Sequence, residues 1–183
     1  TFGRGRSGTI DSFARLGLPA QAVAPVIDEE GAISSSRIRA ALRAGDCATA
    51  TGLLTRPFAI EGIVQHGDKL GRTIGFPTAN IDLGPCLRPA YGIYAVRGML
   101  ADGRVFDGAA NLGIRPSFDP PKELLEPHFF DFSESLSDQV VQVQLIEYLH
   151  AERTYDGLAA LTAGIAQDCA DARQILAATP FVA

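Results

Sequence analysis

Phe58-Ala59-Ile60-Glu61-Gly62-Ile63-Val64-Gln65 alternates residue by residue, and that alternation decides the fold class. Phe58, Ile60, Gly62 and Val64 fall on one side of an extended chain, and Ala59, Glu61, Ile63 and Gln65 on the other. A period of two marks a strand with one buried face. The same habit recurs downstream. Ala90–Leu100 reads as a strand, Asp102-Gly103 as a hairpin turn and Val105–Ala110 as the partner strand. Val140–Leu149 is the clearest strand, with Val141, Val143, Leu145 and Leu149 on one face and Gln142, Gln144 and Tyr148 opposite. Glu147 falls on the apolar face, which marks a barrel rim or a functional position.

A helix then runs from Gly157 to Ala177. Leu158, Leu161, Ile165, Cys169, Ala172 and Ile175 make its buried stripe, Asp156 or Thr154 its cap, and Pro180 its end. Gly164 costs it roughly 1 kcal/mol, so tertiary packing must hold it. Five or six short antiparallel strands followed by one long amphipathic helix cannot make a βαβ sheet. Closing the sheet into a small barrel, with the helix over one side or opening, removes the exposed edges. The expected fold is mainly β.

Upstream of Phe58 the pattern differs. Thr1–Gly8 is basic and glycine-rich, a mobile or phosphate-facing loop. Asp11–Leu16 is a short helical turn and Ala22–Ile27 a short strand. Ser34–Ala44 reads as a helix with a serine N-cap, Ile38 and Leu42 on one face, and Gly45 at its C-terminal turn. Asp46 caps a second helix ending near Leu54, and Arg56-Pro57 stops it.

Composition bounds the function. At 183 residues the chain suits one domain with an additional piece. Sixteen Lys+Arg against 21 Asp+Glu give a net charge of −5, which argues against a nucleic-acid surface. Cys47, Cys86 and Cys169 match no disulfide framework and no metal pair, as expected of free thiols in the cytoplasm. No apolar run is long enough to span a membrane. The chain opens without methionine, so it is expected to start inside a larger protein.

Gly71–Asn80, GRTIGFPTAN, concentrates unusual residues. Gly71 and Gly75 permit close approaches or backbone conformations that a Cβ resists, and Pro77 stiffens the segment leading into Thr78. If Thr78–Ile81 is extended, Thr78 and Asn80 point the same way. Two readings stay open: an ordinary turn satisfied by Asn80, or a hydroxyl and an amide held side by side for a metal, phosphate or ligand hydroxyl. Gly67 and Gly71 do not form a Walker A loop, since GxxxxGK[ST] is missing.

GRTIGFPTAN closely resembles the signature of the riboflavin kinase module of bacterial bifunctional riboflavin kinase/FAD synthetases. The resemblance extends to ISSSRIR at Ile33–Arg39, RPF at Arg56–Phe58, HG at His66–Gly67 and YGIYAV at Tyr91–Val96. It continues through NLGIRPSF at Asn111–Phe118, LEPHFFDF at Leu125–Phe132 and ERTYDGLAAL at Glu152–Leu161. It implies a six-stranded antiparallel Greek-key barrel with a C-terminal helix beside it, spanning 55–183. Residues 1–54 resemble a truncated α/β remnant of the FMN adenylyltransferase module and linker helices. In the family the nucleotide and riboflavin occupy opposite sides of the active centre, the flavin near the long helix.

The resemblance also assigns roles. Glu126 matches the base that activates the ribityl 5′-hydroxyl. Thr78 matches the Mg²⁺ ligand, and Asn80 its partner toward metal-bound waters or substrate. Gly67, Gly71 and Gly75 match the loops around ADP. Arg115 falls in the flap that closes near riboflavin. Ser35, Ser36, Arg37 and Arg39 match the ATP-phosphate motif of nucleotidyltransferases, carried over as relics. His66, His128 and His150 are the only histidines and none stands in an HxGH-type motif, so FAD synthetase activity is expected to be absent. His66 reads as a turn residue near nucleotide, and His128 as a strand residue pointing away from Glu126 or toward its surroundings. Most of Phe129, Phe130 and Phe132 are expected in the core.

Some positions depart from the family. Leu136-Ser137-Asp138 replaces a DLYG-type turn, Pro127 removes a strand N–H, and Ser117 replaces a common threonine. The expected activity is transfer of the γ-phosphoryl group of ATP to riboflavin, giving FMN and ADP with Mg²⁺. The expected partners are small molecules and the missing adenylyltransferase module of the parent protein, with possible self-association and no nucleic acid or membrane. The alternative is a flavin-binding or interdomain docking module without turnover.

Overall fold

A computed structural model describes residues 2–65, 70–115 and 121–181. The chain forms two compact units, Thr1–Ile33 and Ser34–Ala183. The His66-Gly67-Asp68 turn, with the predicted nucleotide residue Gly67, lies outside the described residues, and so do Ser117 and the rest of 116–120.

In the first unit, a 3-10 turn at Arg4–Arg6 precedes α1 (Ile10–Arg15), and Phe2 stacks on Phe13 at 4.3 Å. None of its described residues is buried. The strand expected over Ala22–Ile27 is not formed. Instead Ile27–Asp28 (β1) pairs with Gly31–Ala32 (β2) in a minimal hairpin, where Gly31 takes a positive φ at the turn.

The second unit opens with α2 (Ser35–Arg43) and α3 (Cys47–Leu54). Ser34 Oγ accepts from Arg37 N, and Asp46 Oδ1 accepts from Thr49 N at 2.9 Å, so both predicted caps bind free N–H groups of a first turn. Ala41, Leu42 and Ala50 pack between the two helices and against Phe58 and Leu87.

Six strands then close a barrel: β3 (Phe58–Gln65), β4 (Asn80–Asp82), β5 (Gly92–Leu100), β6 (Val105–Arg115), β7 (Lys122–Phe129) and β8 (Val140–His150). Their order around the barrel is β3-β4-β7-β6-β5-β8, all antiparallel, and β8 returns to β3 with Phe58 opposite Leu145. Closure leaves no free edge. A short helix, α4 (Leu70–Thr73), lies between β3 and β4.

Strand β6 is longer than the expected Val105–Ala110 and runs on through Asn111–Arg115. Lys122 and Glu123 open β7 beside it. The reason is mutual pairing: the ladder runs from Gly108 opposite Phe129 to Arg115 opposite Lys122. Register shifts against β5 break the period of β8. Val141, Val143 and Leu145 face the interior, and after the first shift Tyr148 packs on the same core while Leu149 packs under the C-terminal helix. Tyr148 is therefore on the apolar side, not with Gln142, and Glu147 is exposed.

The barrel interior holds one core, including Ile60, Ile81, Tyr94, Leu112, Leu125 and Val143. A second core lies between the outer barrel wall and α5 (Leu158–Ala178), where Ala95, Ile146 and Phe130 meet Cys169, Ala172 and Leu176. The cap of α5 is Gly157 without a side-chain bond, not Asp156 or Thr154, and Leu158 is exposed instead of joining the stripe. Gly164 has a packing reason, because a Cβ there would press into the Tyr155 ring. The far end of α5 is latched by Arg97. Its guanidinium donates to Leu176 O, Thr179 O and Pro180 O, and to Asp107 Oδ1 at 2.9 Å. Among the described residues, no helix is long and apolar enough to cross a membrane.

Candidate active site

A cleft of about 1200 Å³ runs from the segment before β4, past the middle of β7, to the inner face of α5. Its first wall is the GRTIGFPTAN stretch. Phe76 N–H donates to Gly71 O at 2.8 Å, and a Cβ on Gly71 would collide with the Phe76 carbonyl. Gly75 takes φ +87°, a conformation that favours glycine. From Thr78 burial alternates: Ala79 and Ile81 turn into the core, while Thr78 is exposed and Asn80 half-buried. Both line the cleft.

Glu126 stands on β7 directly opposite Asn111 on β6, its side chain 17% exposed. The Arg115 guanidinium binds its carboxylate through Nε and Nη2. Arg115 Nη1 also lies 3.6 Å from Glu152 Oε1, which accepts from Asn111 Nδ2 at 2.9 Å. One arginine is thus bracketed by two carboxylates, one on a barrel strand and one just past β8. Asn111 Oδ1 is buried and has no hydrogen-bond partner among the described residues.

The far end of the cleft is walled by Leu161, Ile165 and Cys169 of α5 and by Phe132. Its polar feature is His150, whose Nε2 lies 2.7 Å from Asp168 Oδ1 and whose Nδ1 lies 2.8 Å from Ala151 O. Burial pushes the Cys169 thiol up to about 11, so it is no nucleophile at neutral pH. Phe129 and Phe130 are core residues, while Phe132 is half-buried at the cleft.

The structure therefore brings Gly71, Thr78, Asn80, Arg115 and Glu126 to one cleft. Gly75 adjoins it at the turn. Ser35, Ser36, Arg37 and Arg39 sit at the start of α2 and do not line it; Arg39 Nη1 donates to Ser35 Oγ at 3.0 Å. The sequence reading missed Asn111, Glu152, His150 and Asp168. A signal existed for the first two, which open the NLGIRPSF and ERTYDGLAAL motifs. Among the described residues, no group of three His, Cys, Asp or Glu side chains could hold a metal ion. The Thr78 hydroxyl and Asn80 carbonyl are neutral oxygen donors, which suits a magnesium ion that keeps waters and phosphate oxygens.

The family model described as flavokinase, riboflavin kinase, matches residues 54–176. The chain is 43% identical over 141 residues to a bifunctional riboflavin kinase/FMN adenylyltransferase of Haemophilus influenzae, covering 77% of this chain and 46% of that protein. It is 39% identical over 150 residues to the protein of the same description from Bacillus subtilis, covering 80% and 47%. The solved structure of a macrolide-efflux protein from Streptococcus pneumoniae superposes with a TM-score of 0.78 at 32% identity, over 92% of this chain and 55% of that one. The chain spans about half the length of the curated relatives it matches.

Proposed function

The chain belongs to the riboflavin kinase family, and from that premise we propose that it phosphorylates riboflavin with ATP, giving FMN and ADP. The observation that carries this reading is the one cleft shared by Thr78, Asn80 and Glu126, whose far end is walled by Leu161, Ile165 and Cys169 of α5. The nucleotide's phosphates lie at the Thr78 end and the ring at the Leu161–Cys169 end. Glu126 orients the ribityl 5′-hydroxyl and takes its proton as the new O–P bond forms and the bond to ADP breaks. Thr78 and Asn80 would hold Mg²⁺, which when bound neutralises phosphate charge. Arg115 leaves Glu126 when substrates enter and turns toward the transferring phosphoryl group, which exposes the base and adds a donor for developing charge. Residues 1–54 keep the resemblance to an adenylyltransferase without an HxGH-type motif, and this chain by itself makes no FAD.

The test is a chromatographic assay with riboflavin, ATP and Mg²⁺, run beside Glu126→Gln and Thr78→Ala. The parent should form FMN and no FAD. Each variant should keep its fold by circular dichroism and lose roughly 10²-fold or more in kcat. A folded parent that binds riboflavin yet forms no FMN would overturn the kinase in favour of a binding module.

A further inference from the structure

Thr78 belongs to a stretch with few tethers. Strand pairing of β4 begins only at Asn80, opposite Gln65. Before it, Pro77 has no N–H to offer, and Thr78 itself is exposed. Two hydrogen bonds from consecutive residues of β7 fasten this stretch. Ala79 N–H donates to Pro127 O at 2.9 Å, and the Pro77 carbonyl lies 2.9 Å from His128 Nδ1. A carbonyl oxygen only accepts, so His128 donates from Nδ1, which sets both tautomer and ring orientation. The imidazole is held in turn by edge-on contacts with Phe76 at 5.5 Å and Phe130 at 5.9 Å. Thr78 thus stands between two fastened neighbours, and the fastening strand is the one that carries Glu126.

We propose that His128 is a positioning residue, which holds Pro77 so that Thr78 and Asn80 meet the phosphates of the nucleotide across from Glu126. The proposal rests on the kinase reading of this cleft and deepens it. His128 touches none of the reacting atoms. Its donor on Pro77 and the Pro127 carbonyl on Ala79 couple the phosphate-binding segment to the base-bearing strand, so the two ends of the reaction keep one spacing. Freed from Nδ1, Pro77 loses its tie to β7 on the N-terminal side of Thr78, and the hydroxyl samples positions that serve phosphate poorly.

Two variants separate this role from packing. His128→Phe keeps an aromatic ring against Phe76 and Phe130 but removes the donor. His128→Asn restores an N–H near the position of Nδ1. Calorimetric titrations with MgADP and with riboflavin, in the absence of turnover, read the effect. His128→Phe should bind MgADP about tenfold or more weakly, the equivalent of about 1.4 kcal/mol, with riboflavin affinity and melting temperature close to the parent's. His128→Asn should recover most of the MgADP affinity. Proton–nitrogen correlation NMR of the parent should find the His128 proton on Nδ1. Unchanged MgADP binding in His128→Phe, parallel loss of both ligands in both variants, or a proton found only on Nε2 would each overturn the proposal. A parent that binds MgADP but forms no FMN would sink the kinase reading alone.

Discussion

Glu123 shows how one carboxylate can tie a strand to a loop. Arg88 Nε and Nη2 donate to its Oε2 at 2.9 and 2.7 Å, and the Tyr91 hydroxyl donates to Oε1. The Arg88 hydrogen bond, then that of Tyr91, holds the Glu123 carboxyl below the usual carboxylate range. A folded-state pKa below the unfolded value adds stability above about pH 4.3, and that stability is lost as pH falls through the folded value. Glu123→Gln should therefore be about 1 kcal/mol less stable than the parent at pH 7, with the gap narrowing below pH 4 in urea titrations. Asp138 carries another residue-scale feature. It takes φ +65° in the turn before β8, and aspartate tolerates that conformation better than most residues. Gly71 and Gly75 were legible in the sequence because spacing and type both pointed to backbone need. Glu123 was not, since its partners lie 35 and 32 positions away.

At the scale of elements, α5 depends on Arg97 as much as on its apolar stripe. Arg97 is 6% exposed and supplies donors to the last carbonyls of a helix whose final turn has no basic residue of its own. Arg97→Met should cost about 2 kcal/mol, less than a fully buried pair because Asp107 remains partly in water. The cost should appear as a lower urea midpoint and faster amide exchange in the last turn of α5. Nothing in YGIYAVRGML distinguishes such an arginine from one that points to solvent, because the carbonyls it holds stand about 80 positions on. The strands themselves were legible wherever one face is buried and the period holds. The period failed at β8, where register shifts move Tyr148 inward, and at β6, whose last residues look loop-like until β7 pairs with them.

For the whole molecule, the closed barrel follows from many short strands and one late helix, a pattern open to reading from the sequence. The cleft is less so. Thr78, Asn80, Glu126 and Arg115 could be named from motifs, whereas Asn111, Glu152, His150 and Asp168 join them only through strand register and the docking of α5. All the described residues that line the cleft lie in the unit Ser34–Ala183. A chain that begins at Ser34 should then melt cooperatively and form FMN within about twofold of the full chain's rate, measured by the same chromatographic assay.

Barrel closure has one more consequence. Ala59 and Arg97 flank the same residue of β8, Gln144, so they lie about 10 Å apart across two strand spacings. Pro180 is bonded to that arginine. The entry to the barrel and the exit from its last helix are therefore neighbours on one flank, and neither Ala59 nor Arg97 lines the cleft. A module with adjacent ends is a plug-in part: it can be spliced behind another domain, or rewired into a permuted order opened at the Asp102-Gly103 hairpin, without redrawing the cleft.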